Sequence, residues 1–198
     1  MITKIAHQIA ALPFVYDLIQ RAVGCGPIFK ILQPHLAATS ASTLLDLGAG
    51  TANFRPLAPP SAKYIWFDSD PVKLAGYRAK FHSGSSLLGN GGQLRFREQS
   101  IDFALFAAVS HHLNDEEFNS TLAALAKILR HRLICFDAFK SEDGLSSNLL
   151  WCLDRGCYPR SRDSLIDFVS RYFDIESVED LSTYHRYVLI VANSSARK

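Results

Sequence analysis

The 198-residue sequence has little excess charge of either sign: 21 lysines and arginines against 19 aspartates and glutamates leave a net +2. A balance this near neutral gives no electrostatic reason to expect tight, sequence-independent binding to nucleic acid, although it does not exclude RNA as a substrate. Cysteine is sparse as well. Cys25, Cys135, Cys152 and Cys157 form no CxxC pair, and no second ligand pair stands near Cys152 and Cys157 to hold a metal. That argues against a disulfide scaffold and for reduced thiols in a cytoplasmic protein. Long apolar runs are missing too. The opening stretch MITKIAHQIAALPFVYDLIQ is interrupted by His7, Gln8, Pro13 and Asp17, so it supplies neither a signal-peptide core nor the roughly 20 apolar residues of a membrane span. What remains is 48% hydrophobic and 20% charged, an ordinary globular composition. A single domain of this size buries about 70% of its unfolded surface.

The hydrophobic period changes along the chain. Residues 1–42 read as a helical cap, with stripes at Ile5, Ile9 and Leu12, at Phe14, Leu18, Ile19 and Ala22, and at Ile28, Ile31, Leu32 and Leu36. Pro13, the Gly24–Pro27 cluster and Pro34 punctuate them. From residue 43 to the end, strand-like runs at 43–47, 64–67, 86–88, 103–109 and 132–136 alternate with helical stretches near 52–58, 71–82 and 115–130. Alternation of this kind builds crossover units and a parallel sheet covered on both faces. A helix near 162–172 then leads into runs at 173–178 and 184–192 with no helix between them. So short a connection suits a hairpin, so the last strand should be antiparallel.

The strongest local signal is Leu44-Leu45-Asp46-Leu47-Gly48-Ala49-Gly50-Thr51-Ala52, an apolar strand that ends in an acid and a Gly-x-Gly turn. Glycines there let the backbone turn sharply and approach a ligand, although tight strand-to-helix turns also use them for steric reasons alone. Asp68 ends the next strand about 20 residues on, where a nucleotide-binding fold places a carboxylate for the two ribose hydroxyls. A solvated strand-end acid is the plainer alternative. A pyrophosphate turn wants a third glycine and no acid beside it. Here Asp46 precedes the turn and Ala52 takes the third place, a pattern that repels phosphate and attracts the amine of a methionine moiety. The turn therefore favours S-adenosylmethionine over NAD.

On these residues the chain resembles the class I S-adenosylmethionine-dependent methyltransferases. Over residues 42–137 it looks like their small-molecule branch related to ubiquinone and menaquinone biosynthesis. The resemblance runs through LLDLGAGTANF (44–54), YIWFDSDP (64–71), GNGGQLRFREQSIDFAL (89–105) and AAVSHHLND (107–115), in the family's order and spacing. It implies an α/β, Rossmann-like three-layer sandwich with a seven-stranded, mostly parallel sheet and an antiparallel last strand. The glycine motif falls on Asp46, Gly48 and Gly50, and the ribose acid on Asp68 with Ser69 beside it. The adenine contact falls on Asn90, next to Gly91, where the family usually has Asp; the Asn oxygen can still accept from an amine.

Ligands of open parallel sheets bind outside the C-terminal strand ends, which puts Ala107–Leu113 at the mouth beside the transferable methyl. His111 and His112 lie there. Either could take the acceptor's proton near neutral pH, His111 slightly ahead of His112, or both could serve structure only. Asp137 closes the fifth strand at the same edge as a candidate substrate contact or a plain turn residue. Arg155, Tyr158 and Arg160, in LDRGCYPR, stand where substrate loops emerge and are further candidates, or ordinary loop residues. No Asn/Asp-Pro-Pro-Tyr/Phe motif, no Pro-Cys nucleophile and no acidic metal cluster is present. Those absences turn the expectation away from exocyclic base amines, cytosine C5 and divalent-cation chemistry. The expected activity is methyl transfer to a small molecule of natural-product, quinone-like or saccharide type. An RNA or protein methyltransferase, or a cofactor-binding protein without transfer, are the rivals.

Overall fold

β-Branched, aliphatic and aromatic runs, each bounded by turn residues, form seven strands. They are β1 (Thr43–Leu47), β2 (Lys63–Asp68), β3 (Ser85–Leu88), β4 (Ile101–Ala107), β5 (Leu129–Ala138), β6 (Phe173–Ser182) and β7 (Arg186–Ser194). Among the described residues four α-helices accompany them: α1 (Cys25–Ala37), α2 (Pro71–Lys80), α3 (Asp115–Ile128) and α4 (Arg162–Ser170). The structure, a computed structural model, describes residues 25–39, 42–82, 84–140, 158–183 and 186–195. Residues 1–24 of the expected cap and Arg155 lie outside the described residues.

The strands make one sheet in the order β3-β2-β1-β4-β5-β7-β6. Pairing is parallel from β3 through β5, and β7 runs antiparallel to both β5 and β6. The fold is thus the expected doubly covered sheet with an antiparallel final strand. Side chains alternate between its faces. On one, Leu45, Leu47, Phe106 and Leu133 pack with Phe118, Leu122 and Leu125 of α3 and with Leu165, Phe168 and Val169 of α4. On the other, Leu44, Trp66, Leu105 and Ile134 pack with Leu32 and Leu36 of α1 and with Leu74 and Tyr77 of α2.

Two local expectations fail. No α-helix covers 52–58: the chain makes turns over 51–54 and a single 3-10 turn at Arg55–Leu57. Pro56, Pro59 and Pro60 lack the N–H groups a longer helix needs there. Conversely, Pro34 does not interrupt α1, which runs through it to Ala37. The missing hydrogen bond is offset by full burial of Leu32 and Leu36 on either side.

Candidate active site

β1, β2 and β4 end on the same side of the sheet, and their C-terminal ends surround a cleft of about 410 Å³, within the range of small-molecule sites, roughly 300–1,000 Å³. All eight residues expected to bind the cofactor line it: Asp46, Gly48, Gly50, Asp68, Ser69, Asn90, Gly91 and Ala107. They come from four separate stretches of sequence.

The glycine turn is anchored by the neighbouring strand. Gly48 and Ala49 donate their N–H groups to the Phe67 carbonyl at 2.7 and 3.0 Å, and the Trp66 indole donates to the Gly50 carbonyl at 2.9 Å. Gly48 has φ +71° and Gly50 φ +55°, the left-handed region in which a Cβ is strained. Gly48 is under a second constraint: a Cβ there would lie 2.4 Å from Val109 Cγ2. The loop after β4 therefore rests directly on the glycine turn.

Asp46 is 2% exposed and accepts a short hydrogen bond from the Tyr64 hydroxyl. Burial pushes its carboxyl from the ordinary 3.8 up to about 7; the Tyr64 bond pulls it down, and the nearby Asp68 charge adds to the rise. Tyr64 is itself pushed well above its usual range by burial and by Asp46. Asp68 holds two backbone amides, Gly50 N–H on Oδ2 at 2.8 Å and Asp70 N–H on Oδ1 at 2.9 Å, with Lys73 Nζ 3.9 Å from Oδ2. Each carboxylate oxygen has a second lone pair, so the acid that shapes the turn keeps capacity for a ligand. Asn90 Oδ1 accepts the Gly92 N–H at 2.9 Å, and Thr121 of α3 closes against Gly91.

The two histidines part company. His112 lines the cleft and is exposed, whereas His111 is 5% exposed and absent from the cleft wall. The His111 Nδ1 lies 2.6 Å from Asp137 Oδ1. Asp137 Oδ2 accepts from Ser110 N–H at 2.7 Å, Ser110 Oγ at 2.5 Å and His111 N–H at 3.3 Å, and Oδ1 also takes Ala138 N–H at 2.8 Å. Burial alone would raise the Asp137 carboxyl, but the His111 charge and these hydrogen bonds outweigh it and hold it below its usual value. Asp137 is thus a buried anchor, 2% exposed, rather than a surface substrate contact.

Arg160 is likewise buried, at 7%. Its guanidinium donates to the Ser110 carbonyl at 2.7 Å, the Leu113 carbonyl at 2.8 Å and Asp115 at 2.6 Å, and stacks over Phe118 and Phe168. Among the described residues these five neighbours engage it along its edge and over its plane. Tyr158 is 44% exposed, and its N–H donates to the His111 carbonyl at 3.0 Å. Tyr64 and Lys73 were not singled out from sequence; Tyr64 reaches Asp46 only through the β1–β2 register, in which Leu44 faces Tyr64 and Asp46 faces Trp66. Among the described residues no cluster of His, Cys, Asp and Glu could hold a metal ion, and no helix is long and apolar enough to cross a membrane.

Residues 45–136 match a family model described as a methyltransferase domain. No curated protein matches the sequence. Solved structures share the fold at low identity. One is a chain of the complex between the Haloferax volcanii Trm112 methyltransferase activator and a methyltransferase, with TM-score 0.77, 15% identity, and coverage of 93% of this chain and 95% of that one. Another is geranyl diphosphate C-methyltransferase from Streptomyces coelicolor A3(2), solved with Mg²⁺, geranyl diphosphate and S-adenosyl-L-homocysteine, with TM-score 0.71, 13% identity, and coverage of 84% and 79%. The pyocyanin biosynthetic protein PhzM aligns with TM-score 0.73 and 19% identity over 91% of this chain and 58% of its own length. With the matched domain set in this fold, the chain is an enzyme of the S-adenosylmethionine-dependent methyltransferase kind, and S-adenosylmethionine is its cofactor.

Proposed function

We propose that the enzyme methylates a small molecule, of natural-product, quinone-like or saccharide type, as in the ubiquinone-related branch that the sequence resembles. One observation carries the reading of the site: four distant stretches deliver two acids, a glycine turn and an amide-bearing loop to a single cleft. The residues fit the cofactor. Asp46, whose carboxyl accepts from the Tyr64 hydroxyl, would hold the methionine amine. Asp68 would take the ribose hydroxyls and Ser69 the same end. Asn90 and Gly91 would meet the adenine, and Gly48 and Gly50 would let the backbone come close.

The bound cofactor supplies a methyl already activated by its sulfonium. The chain then has to orient the acceptor, keep water away and take up a proton where the acceptor has one to lose. Ala107, Val109, His112 and Leu113 are the groups on the acceptor side, largely apolar with one imidazole. A cytoplasmic location belongs to the same reading, as does a small-molecule partner rather than nucleic acid.

Calorimetry with S-adenosylmethionine, S-adenosylhomocysteine and NAD tests the cofactor assignment. Micromolar binding of the two sulfur nucleotides and none of NAD is expected; the reverse pattern defeats it. A screen of phenols, quinols and sugars for S-adenosylhomocysteine release then tests the acceptor class. Release with RNA or protein alone would move the enzyme to that rival class.

A further inference from the structure

Alternation along β2 puts Tyr64, Trp66 and Asp68 on one face of the sheet, and each of them bonds the end of β1 or the turn after it. The Trp66 indole donates to the Gly50 carbonyl, and the Asp68 carboxylate accepts the Gly50 N–H. Those two contacts hold backbone. The third holds a side chain: the Tyr64 hydroxyl donates to Asp46 Oδ2. Tyr64 is 7% exposed and Asp46 2%, yet Asp46 lines the cleft. Burial disfavours the charged form of a carboxyl, and one neutral donor offsets that in part, leaving the Asp46 carboxyl at about 7. For stability alone, a well-packed apolar pair would serve this position better. What the pair adds is an acid held ready for a cation that enters the cleft.

We infer that Tyr64 is a positioning residue of the cofactor site, which acts through Asp46: its hydroxyl holds that carboxyl in the cleft as the anion that the cofactor's ammonium group requires. The inference rests on the S-adenosylmethionine reading of the cleft and deepens it by assigning the group behind the amine contact. The hydroxyl is suited to the task because it stays a donor: burial and the Asp46 charge push its own ionisation well above the usual range. The Arg55 guanidinium, 4.8 Å from the centre of the Tyr64 ring, steadies the ring plane. The other surroundings of the acid come from four elements. β2 adds the Asp68 charge, with Lys73 of α2 at 3.9 Å from it. Tyr77 of α2 and Arg55 stand behind Tyr64. β4 sets the apolar Leu105 in register with Asp46, and α1 brings the apolar Leu32 and Leu36 to this face. Among the described residues Tyr64 is the group that bonds the carboxyl.

Tyr64→Phe keeps the ring and removes the donor, and its test needs no known acceptor. Calorimetry between pH 5.5 and 8.5 measures affinity for S-adenosylhomocysteine and for methylthioadenosine, the same nucleoside thioether without the amino-acid end. In the wild type, S-adenosylhomocysteine affinity should rise through about pH 7 as Asp46 loses its proton. In Tyr64→Phe the rise should move up by about one pH unit, because the bond that favours the anion is gone. The variant then binds about fivefold more weakly at pH 7 and within about twofold of the wild type at pH 8.5. Methylthioadenosine has no amino-acid amine, so its affinity should be flat with pH and equal in the two proteins. Fluorotyrosine at position 64, a stronger donor of nearly the same shape, should move the rise downward, and it carries the comparison if Tyr64→Phe does not fold. A rise that stays in place, or equal losses for both nucleosides, overturns the inference. If the wild type binds neither nucleoside, the cofactor reading fails first and takes this inference with it.

Discussion

Asp46→Asn should make the protein more stable at pH 8 and worse at binding its cofactor. Burial lifts the Asp46 carboxyl from 3.8 to about 7 in the folded state. Between those two pH values the folded protein therefore holds a proton that the unfolded chain has lost. Stability then falls as pH rises from about 4 to about 7 and loses nothing more from this group above that. A rise of roughly three units, at about 1.36 kcal/mol per unit, amounts to about 4 kcal/mol. Asparagine is uncharged and keeps an oxygen for the Tyr64 hydroxyl, so it escapes the loss. Urea unfolding of both proteins between pH 4.5 and 8.5 gives the difference directly. It should be near zero at the acid end and grow to a few kcal/mol in favour of the variant by pH 7–8. Other carboxylates titrate in both proteins and cancel. A pH-independent difference, or a variant less stable throughout, would refute the reasoning. The cofactor's amine, by contrast, favours the ionised acid, so wild-type affinity for S-adenosylmethionine should rise up to about tenfold per pH unit between pH 5.5 and 7. The variant should bind weakly and without that slope.

Asp68→Ala should weaken S-adenosylmethionine binding by about 1.5–3 kcal/mol in calorimetry, the scale of charge-assisted hydrogen bonds; an unchanged affinity in a folded variant would place the ribose elsewhere. Gly48→Ala and Gly50→Ala both take on left-handed strain of about 1–2 kcal/mol, but only the first drives a methyl into Val109. It should lose more stability and most of its cofactor affinity, and equal effects in the pair would contradict that close contact. Arg160→Met removes the donors to two carbonyls and the stack on two phenylalanines, for an expected loss of about 2–4 kcal/mol in urea unfolding. Asp137→Asn should cost stability at pH 7. The folded pKa of Asp137 is lowered, so its contribution is present above the unfolded value of about 3.9 and disappears as pH falls below it. The two proteins should therefore converge in acid unfolding once the pH falls through that lowered folded value.

Local pattern was enough for the strand ends, the glycine turn and the two acids 22 residues apart, because each depends on residues adjacent in the chain: an apolar run, a Gly-x-Gly step, a strand-end carboxylate. The antiparallel last strand was legible for the same reason, since a connection too short for a crossover leaves a hairpin. The first crossover misread as helix shows the limit, where three prolines outweighed a short apolar stripe. What only the tertiary structure decided was which neighbours each charged or polar group would meet. His111 and His112 are adjacent in sequence and chemically identical. One became a buried partner of Asp137, 26 residues away, and the other a cleft residue. Arg160, by sequence a candidate substrate contact or an ordinary loop residue, clamps backbone 47 and 50 residues away. Tyr64 meets Asp46 only through the register of two parallel strands. A side chain's burial and charge state are set by atoms brought from elsewhere in the chain, and no period or spacing within one segment encodes them.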